Sequence, residues 1–214
     1  MTHSLLMHYS VVIFDLDGTL YNNRFLPLHL IEANPSKALW MLAERIVRKR
    51  LAGNEFASQQ DLLNVQYSMI ASLVHSTAEK VKQWFEMSYL PLMAKTIGKR
   101  HKVNKDVLTL VNYFRSHGSK LVLFSDYGHT REKLNALGID ENCFDIIVDG
   151  PMLGGLKPCK RSFERVLELA DAKAENALMF GDRDDTDGIG CSLTDIEFVN
   201  VKKTDINKFL ESLN

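Results

Sequence analysis

The sequence predicts an α/β fold, in which a Rossmann-like, doubly wound parallel sheet forms the core and an all-helical cap domain is inserted. Three observations predict it. Short apolar runs recur and each ends in a polar cluster, helical patterns separate these runs, and the stretch 21–99 holds no convincing strand. Strands that alternate with helices form a mostly parallel sheet with helices on both faces. The length of 214 residues fits a domain with an insertion and is sufficient to bury a core.

Five apolar runs are the predicted strands. The first, 11–17, opens with four consecutive apolar residues, which favours a strand covered on both faces. The others, in chain order, are 120–126, 144–149, 177–182 and the weaker 198–201.

Helical patterns lie between the later runs. Asn104 is placed as an N-cap before an apolar stripe that includes Leu110 and Phe114, and Gly118 follows as a stop. A shorter helix ends at Gly138, and another follows Pro158. These helices supply the layers that cover the sheet.

The insertion 21–99 reads as helix throughout. Ser36 is predicted to cap a helix whose inward stripe comprises Leu39, Leu42, Ala43 and Ile46, and Ser76 with Glu79 has the spacing of a capping box. A crossover between parallel strands needs far fewer residues. We therefore expect a core domain formed by 1–20 and 100–214 and a cap domain formed by 21–99, lying over the strand tips.

Bulk composition narrows the classes of partner and location. The formal net charge of −1 gives no reason to expect nucleic acid or an acidic membrane surface as a partner. No apolar stretch approaches the length of a transmembrane helix, and segment 1–10 lacks the pattern of a signal peptide. The three scattered cysteines have no CxxC spacing, so we expect a cytoplasmic location.

The most informative residues end the first strand. Asp15 and Asp17 lie one residue apart, and Gly18 allows a sharp turn directly after them. In open α/β sheets, ligands bind at this carboxyl end of the strands. Two carboxylates so close repel each other unless a cation lies between them. The pattern indicates a metal site, an acid/base pair, or both.

A second acidic cluster ends the fourth run. Within six residues the chain places four carboxylates, namely Asp182, Asp184, Asp185 and Asp187. Such a cluster repels itself strongly unless it is solvated or binds a cation. Ser125 ends the second run, and Lys157 precedes Pro158 in a Gly-Gly-Leu-Lys-Pro segment.

These four elements, in this order, resemble the motifs of the haloacid dehalogenase-like superfamily. The similarity is to its C1-capped phosphatases, such as the phosphoglycolate phosphatases and the beta-phosphoglucomutase-like proteins. In that group, a helical insertion after the first strand is the C1 cap. The resemblance covers nearly the whole chain, although its motifs lie only in the core.

The resemblance implies a role for each motif residue. Asp15 corresponds to a nucleophile that forms an aspartyl-phosphate, and Asp17 to the acid that protonates the leaving oxygen and then takes a proton from water. Ser125, Asp126 and Lys157 correspond to the residues that bind the substrate phosphate, with Ser125 and Lys157 also catalytic. Many members have Asn where Asp126 stands, and an added carboxylate there is unfavourable unless it points away.

The resemblance also implies Mg²⁺ as the cofactor. Asp15, the main-chain carbonyl of Asp17, and Asp182 would hold the ion, since Mg²⁺ prefers oxygen ligands. Asp187 matches the later acid of the fourth motif best and is included in the metal site, with Asp185 as its rival.

The expected activity is magnesium-dependent hydrolysis of a phosphate monoester of a small metabolite. A phosphomutase of the same fold and a non-catalytic, metal-binding regulatory module are the alternatives. A dehalogenase is less favoured, because its chemistry needs neither Asp17 nor the metal site. Candidate substrate contacts in the cap are Arg24, His29, Trp40, Arg45 and Lys82.

Overall fold

A five-stranded parallel sheet lies at the centre of the structure. The computed structural model describes residues 9–213. The strands are β1 (Val11–Phe14), β2 (Lys120–Ser125), β3 (Ile146–Asp149), β4 (Ala177–Gly181) and β5 (Glu197–Asn200). Their order is β3-β2-β1-β4-β5, and every pair is parallel. All five predicted runs are strands. The expectation about a signal peptide concerns 1–10, most of which lies outside the described residues.

Helices cover both faces of the sheet, as the doubly wound prediction requires. They are α6 (Lys105–Ser116), α7 (Thr130–Leu137), α8 (Lys160–Ala170), α9 (Ile189–Leu193) and α10 (Ile206–Leu213). Alternate residues of β1 enter two separate apolar clusters. Phe14 packs on the side of α6, α7 and α10, whereas Ile13 packs on the side of α8 and α9. The central strand is therefore buried on both faces.

The insertion between β1 and β2 is helical, as predicted. Its helices are α1 (Leu26–Ala33), α2 (Ala38–Leu51), α3 (Gln59–Leu73), α4 (Ala78–Trp84) and α5 (Leu90–Arg100). A wider helical turn, Phe85–Tyr89, joins α4 to α5. Trp84 stacks on Tyr89, with ring centroids 4.9 Å apart, inside the apolar cluster that the cap shares with the core. The division at 20/21 and 99/100 stays a prediction.

The inward face predicted for α2 is wrong except at Ala43, which is buried. Leu39, Leu42 and Ile46 are 74%, 48% and 45% exposed, whereas the buried face includes Glu44 and Val47. The predicted stripe and the buried stripe alternate along the same helix. The sequence pattern favours the predicted one, because the other contains the charged residue Glu44. Glu44 is buried because its carboxylate has partners, which are described below.

Helix ends agree with the sequence at two caps and differ at two predicted N-caps. The N-cap of α2 is Lys37, without a side-chain cap, because the predicted cap Ser36 lies inside the short turn Pro35–Lys37 that precedes the helix. The Asn104 side chain caps α6 by accepting from the amide of Asp106, and Gly138 ends α7 in the left-handed region, both as predicted. The cap of α4 is Thr77, which accepts from the amide of Lys80, so the choice of Ser76 is wrong by one residue. Adjacent hydroxyl residues offer the same cap, and backbone geometry selects between them.

The cap touches the core beside the predicted lysine motif. In the linker between α2 and α3, Gly53 donates to the carbonyl of Leu156 (3.1 Å) and Phe56 donates to that of Gly154 (2.7 Å). At the other end, a Cβ on Gly98 of α5 would lie 2.6 Å from the carbonyl oxygen of Ala136 in α7. These contacts hold the cap over the strand tips.

The structure also bears on two features noted in the sequence, the apolar stretches and the cysteines. Within 9–213, no helix has the length and apolarity needed to cross a membrane. The three cysteines, Cys143, Cys159 and Cys191, are all free thiols.

We expect Phe180→Ala to be strongly destabilising. Phe180 is fully buried, stacks on Phe14 at 5.2 Å and meets Phe209 edge-on at 5.6 Å. Removing such a ring leaves a cavity and lowers the free energy of unfolding by about 3–5 kcal/mol. Urea denaturation measures the loss. Leu169→Ala, at a side chain that is 52% exposed, is the control and should change it by less than about 0.5 kcal/mol.

Candidate active site

The strand tips bring the predicted residues together. Asp15 and Asp17 follow β1, Ser125 ends β2 and Asp182 follows β4. Because β1 lies between β2 and β4, these three carboxyl ends are neighbours at one edge of the sheet. The four side chains are all less than 9% exposed. Asp15, Asp17 and Asp182 line a cavity of ≈ 60 Å³.

Gly18 makes the close approach of two motifs possible. Its φ of +111° lies where L side chains are strained, and a Cβ there would be 2.7 Å from Cγ of Asp182. A side chain at this position would therefore separate Asp182 from the Asp15–Asp17 turn.

Asp15 is surrounded by donors. Lys157 Nζ lies 2.7 Å from its Oδ1, and the Thr19 hydroxyl donates to its Oδ2 at 2.9 Å. Burial raises the pKa of Asp15 to about 6, against the opposing effect of the Lys157 ammonium and with help from the carboxylates of Asp187 and Asp17. A further cation at this point would favour the ionised form, which is the nucleophilic one.

Lys157 links the third motif to the first and fourth. Its ammonium donates to Asp15 Oδ1 and to Asp187 Oδ1, both at 2.7 Å, and to the carbonyl of Phe124 at 3.2 Å. Burial disfavours the ammonium, but Asp15 and then Asp187 outweigh it and raise the pKa of Lys157 far above its ordinary value. Lys157 is thus a permanent positive charge between two carboxylates.

The carboxylate of Asp126 is turned toward the Lys157 loop. Its Oδ1 accepts the main-chain amide of Lys157 at 2.8 Å. Burial raises the pKa of Asp126, while Lys157 opposes the shift. The departure from the family pattern therefore fixes the loop that carries the lysine. A phosphate contact by Asp126 stays a prediction.

The fourth-motif acids separate into buried and exposed members. Asp187 is buried, whereas the side chain of Asp185 is 69% exposed and pairs with Arg183. Asp184 is also exposed and pairs with Lys203. Only Asp187, of the two rivals, reaches the cavity with Asp15.

A group of three carboxylates fits a divalent cation. Asp15, Asp182 and Asp187 are buried, and one oxygen of each lies within 4.8 Å of the others. Burial raises the pKa of Asp182, against the opposing Lys202, and that of Asp187, against the opposing Lys157, so burial disfavours both ionised forms. The main-chain carbonyl of Asp17 accepts from Asn23 Nδ2 at 2.6 Å and keeps a second lone pair. This donor set of hard oxygens suits Mg²⁺.

Lys133 is a site residue that the sequence analysis missed. It lies on α7, is fully buried, and donates to both carboxylate oxygens of Asp17, at 3.0 and 3.1 Å. The hydroxyls of Tyr21 and Ser125 donate to the same carboxylate, Ser125 at 2.9 Å. Burial alone would raise the pKa of Asp17, but Lys133 and then Tyr21 outweigh it, so the pKa lies below its usual value.

A signal for Lys133 exists in the sequence. On α7, Thr130, Lys133 and Leu134 are the buried residues, at the spacing of one helix face. A lysine on the inward stripe of a core helix needs a buried partner. The sequence does not say which carboxylate that partner is.

Arg48 of the cap also faces the site. Its guanidinium packs over the ring of Tyr127 at 4.1 Å, and its Nε lies 3.1 Å from Oε1 of Glu44. Tyr89 donates to the other oxygen of Glu44 at 3.2 Å, which explains the burial of that carboxylate. Arg48 lines the cavity of ≈ 60 Å³ together with Asp15. The cap thus adds a cation to a site made by the core.

The cap residues expected to contact substrate have different surroundings. Arg24 and Arg45 line the space under the cap. His29 instead contacts His101, with ring nitrogens 3.1 Å apart. Trp40 packs edge-on against Trp84 at 5.3 Å.

A family model decides the relationship that the geometry suggests. The model for haloacid dehalogenase-like hydrolases matches residues 9–191. The chain belongs to this family. No curated protein sequence matches the chain.

Solved structures of low sequence identity share the fold. The putative HAD-hydrolase YfnB from Bacillus subtilis, bound to magnesium, has a TM-score of 0.62 at 18% identity, covering 93% of this chain and 92% of that one. L-2-haloacid dehalogenase from Xanthobacter autotrophicus has a TM-score of 0.61 at 14% identity, covering 94% of this chain and 81% of that one. A predicted phosphoglycolate phosphatase from Haemophilus somnus has a TM-score of 0.58 at 19% identity, covering 90% of this chain and 84% of that one.

We expect Lys133→Met to destabilise the protein in a pH-dependent way. The substitution leaves the buried Asp17 carboxylate without its ammonium, at a cost of about 3 kcal/mol near neutral pH. Because the pKa of Asp17 is depressed, the native pair contributes above the ordinary aspartate pKa and is lost as pH falls through the depressed value. Urea denaturation across this acidic range should show the difference from wild type shrinking.

The double variant Lys133→Met/Asp17→Asn is the control for this experiment. It removes both charges, so it should be more stable than Lys133→Met alone near neutral pH. An equal loss at all pH values, unchanged in the double variant, would contradict a charge interaction.

Proposed function

We propose that this family member is a magnesium-dependent phosphohydrolase that cleaves a phosphate monoester of a small metabolite through an aspartyl-phosphate. The observation that carries the proposal is the buried pocket of four carboxylates, Asp15, Asp17, Asp182 and Asp187, with Lys157 among them. Such a pocket supplies a nucleophile, a proton carrier and a divalent-cation site together.

Asp15, Asp182 and the carbonyl of Asp17 would hold the magnesium ion, with Asp187 adjacent. When bound, the ion neutralises carboxylate charge and polarises the phosphoryl oxygens. Lys157 would bind a phosphoryl oxygen through its positive charge, since its ammonium already lies 2.7 Å from the carboxylate of the nucleophile, Asp15. Ser125 is proposed as a further contact.

In the first step, an Asp15 oxygen forms a bond to phosphorus and the bond from phosphorus to the leaving oxygen breaks. Protonated Asp17 gives its proton to that leaving oxygen. A phosphoryl dianion beside Asp17 favours this protonated form, because it adds negative charge next to the carboxyl group. Lys157 balances charge as the new bond forms.

In the second step, Asp17 takes a proton from water, and the water oxygen attacks the phosphorus of the aspartyl-phosphate. The bond to Asp15 breaks and inorganic phosphate leaves. Ionised Asp17, held by Lys133, is the form that accepts a proton. The cap, held against the Lys157 loop, limits access of bulk water.

The second acid favours phosphate-ester hydrolysis over dehalogenation. A halide leaves without a proton, so carbon–halogen cleavage needs no acid at Asp17 and no magnesium site. An alkoxide leaving group needs that proton. A phosphomutase would use the same residues but return the phosphoryl group to its substrate, and a regulatory module would bind metal without turnover.

We expect phosphate release from sugar phosphates, nucleoside monophosphates or small phosphorylated acids in the presence of magnesium. Asp15→Asn should lower kcat by at least about 10³-fold, because the nucleophile is lost. Released phosphate is measured with and without chelator. An isomeric product without free phosphate would indicate a mutase, and full activity in Asp15→Asn would overturn the nucleophile assignment.

Asp182→Asn should weaken magnesium binding at least about tenfold, since it removes one buried carboxylate ligand. Titration calorimetry measures the binding without turnover. Asp185→Asn is the matched control, in the same loop but exposed and paired with Arg183, and should bind magnesium as the wild type does. Equal binding by the Asp182 variant and the wild type would remove the proposed metal site.

A further inference from the structure

A larger space opens beside the catalytic cavity, between the cap and the core. It has a volume of ≈ 380 Å³, and Asp17 and Asp182 line it together with residues of α1, α2 and α5. We call it the outer cavity. Because Asp17 is the proposed proton donor to the leaving oxygen, the leaving group of an ester would lie here.

Positive charge is concentrated on the outer cavity. Its lining includes three acids, Asp17, Asp182 and Glu44, and six basic residues, Arg24, Arg45, Arg48, Lys49, Arg183 and Lys202. The chain as a whole has a net charge of −1, so this excess is local. A cavity walled by one sign of charge attracts ligands of the other sign.

Half of these cations have a carboxylate partner. Arg48 pairs with Glu44, Arg183 with Asp185 and Lys202 with Asp182. Arg24, Arg45 and Lys49 form no salt bridge among the described residues, and the last two lie four residues apart on one face of α2. Like charges at this spacing destabilise a helix slightly. Lys49, in the last turn of α2, also suits the helix dipole, but both side chains line the outer cavity and are available to a ligand.

A neighbouring cavity has a mainly acidic lining, in contrast to the mainly basic outer cavity. Arg48 and Tyr127 line the outer cavity and also a separate cavity of ≈ 250 Å³. Four carboxylate residues line that second cavity, namely Glu44, Glu86, Asp126 and Asp149. Among the described residues, Arg48 is the one arginine or lysine in its lining. Of these two cavities, only the one that Asp17 lines includes Arg45 and Lys49 in its wall.

We propose that the substrate's leaving group carries a second anionic group, a carboxylate or a second phosphate, which Arg45 and Lys49 bind. This inference rests on the proposed phosphohydrolase function. Guanidinium and ammonium groups make charge-assisted hydrogen bonds to carboxylate and phosphate oxygens. Leu30, Met41 and Met93 line the same cavity and would cover the carbon skeleton.

Matched pairs of esters test the proposal. The two members of a pair differ only in the second anion: phosphoglycolate against hydroxyethyl phosphate for the carboxylate, and glycerol bisphosphate against glycerol monophosphate for the phosphate. The anionic member of at least one pair should have a lower KM, with kcat/KM higher by about tenfold or more, equivalent to about 1.4 kcal/mol. The pair with the larger ratio identifies the anion.

The double variant Arg45→Gln/Lys49→Gln should reduce that ratio toward one, mainly through KM. The control is Arg50→Gln/Lys95→Gln, which removes the same charge from exposed cap positions. The control should keep the ratio of the wild type. Equal ratios in both double variants would show that general attraction, and not this pair, selects the anion.

Binding without turnover separates this inference from the proposed function. Calorimetry with the Asp15→Asn protein compares phosphoglycolate with hydroxyethyl phosphate, and the two glycerol phosphates with each other. A preference for the anionic member, lost in the Arg45→Gln/Lys49→Gln background, supports the subsite even if no ester is hydrolysed. Equal affinity within both pairs overturns it, even if hydrolysis is found.

Discussion

Charge balance among buried groups at the strand tips is the constraint on which the rest of the site depends. Four carboxylates, Asp15, Asp17, Asp182 and Asp187, lie within or beside one small cavity. Burying unpaired charges is costly, so each of them needs a cation. Two buried lysines supply cations: Lys157 forms salt bridges with both Asp15 and Asp187, and Lys133 forms one with Asp17. The fourth carboxylate, Asp182, pairs with the more exposed Lys202, and a divalent cation would add positive charge to the cluster of Asp15, Asp182 and Asp187.

The two lysines divide the acids into separate roles. Lys157 shares its charge between Asp15 and Asp187, and burial still raises the pKa of Asp15 to about 6. Lys133 forms its salt bridge with Asp17, whose pKa falls below the usual value. Neighbouring carboxylates with such different environments suit a nucleophile and a proton carrier. The cap contributes to the same balance through Arg48, whose own partner is the buried Glu44.

The loop that carries Lys157 is hydrogen-bonded to both the core and the cap. Asp126 holds the amide of Lys157 from the core side, while Gly53 and Phe56 bind Leu156 and Gly154 from the cap side. The same loop is therefore in contact with both the cap and the core. A substitution that removed these cap contacts would also disturb the position of Lys157.

The sequence by itself determined the sheet, the order of its motifs and the residues at its strand tips. Apolar runs that end in acids can only place those acids at one edge of a parallel sheet, so Asp15, Asp17 and Asp182 were predictable from local pattern alone. The helical nature of the insertion followed from the absence of strand signals in 21–99.

The tertiary structure decided which of several equivalent local choices was used. Two interleaved stripes compete on α2, and packing chose the one with Glu44 because Arg48 and Tyr89 satisfy that carboxylate. Asp187 and Asp185 have similar sequence surroundings, and only the turn of the loop buries the first. The partner of Lys133 lies more than a hundred positions away in the chain. Such pairings depend on distance in space, which local periodicity does not encode.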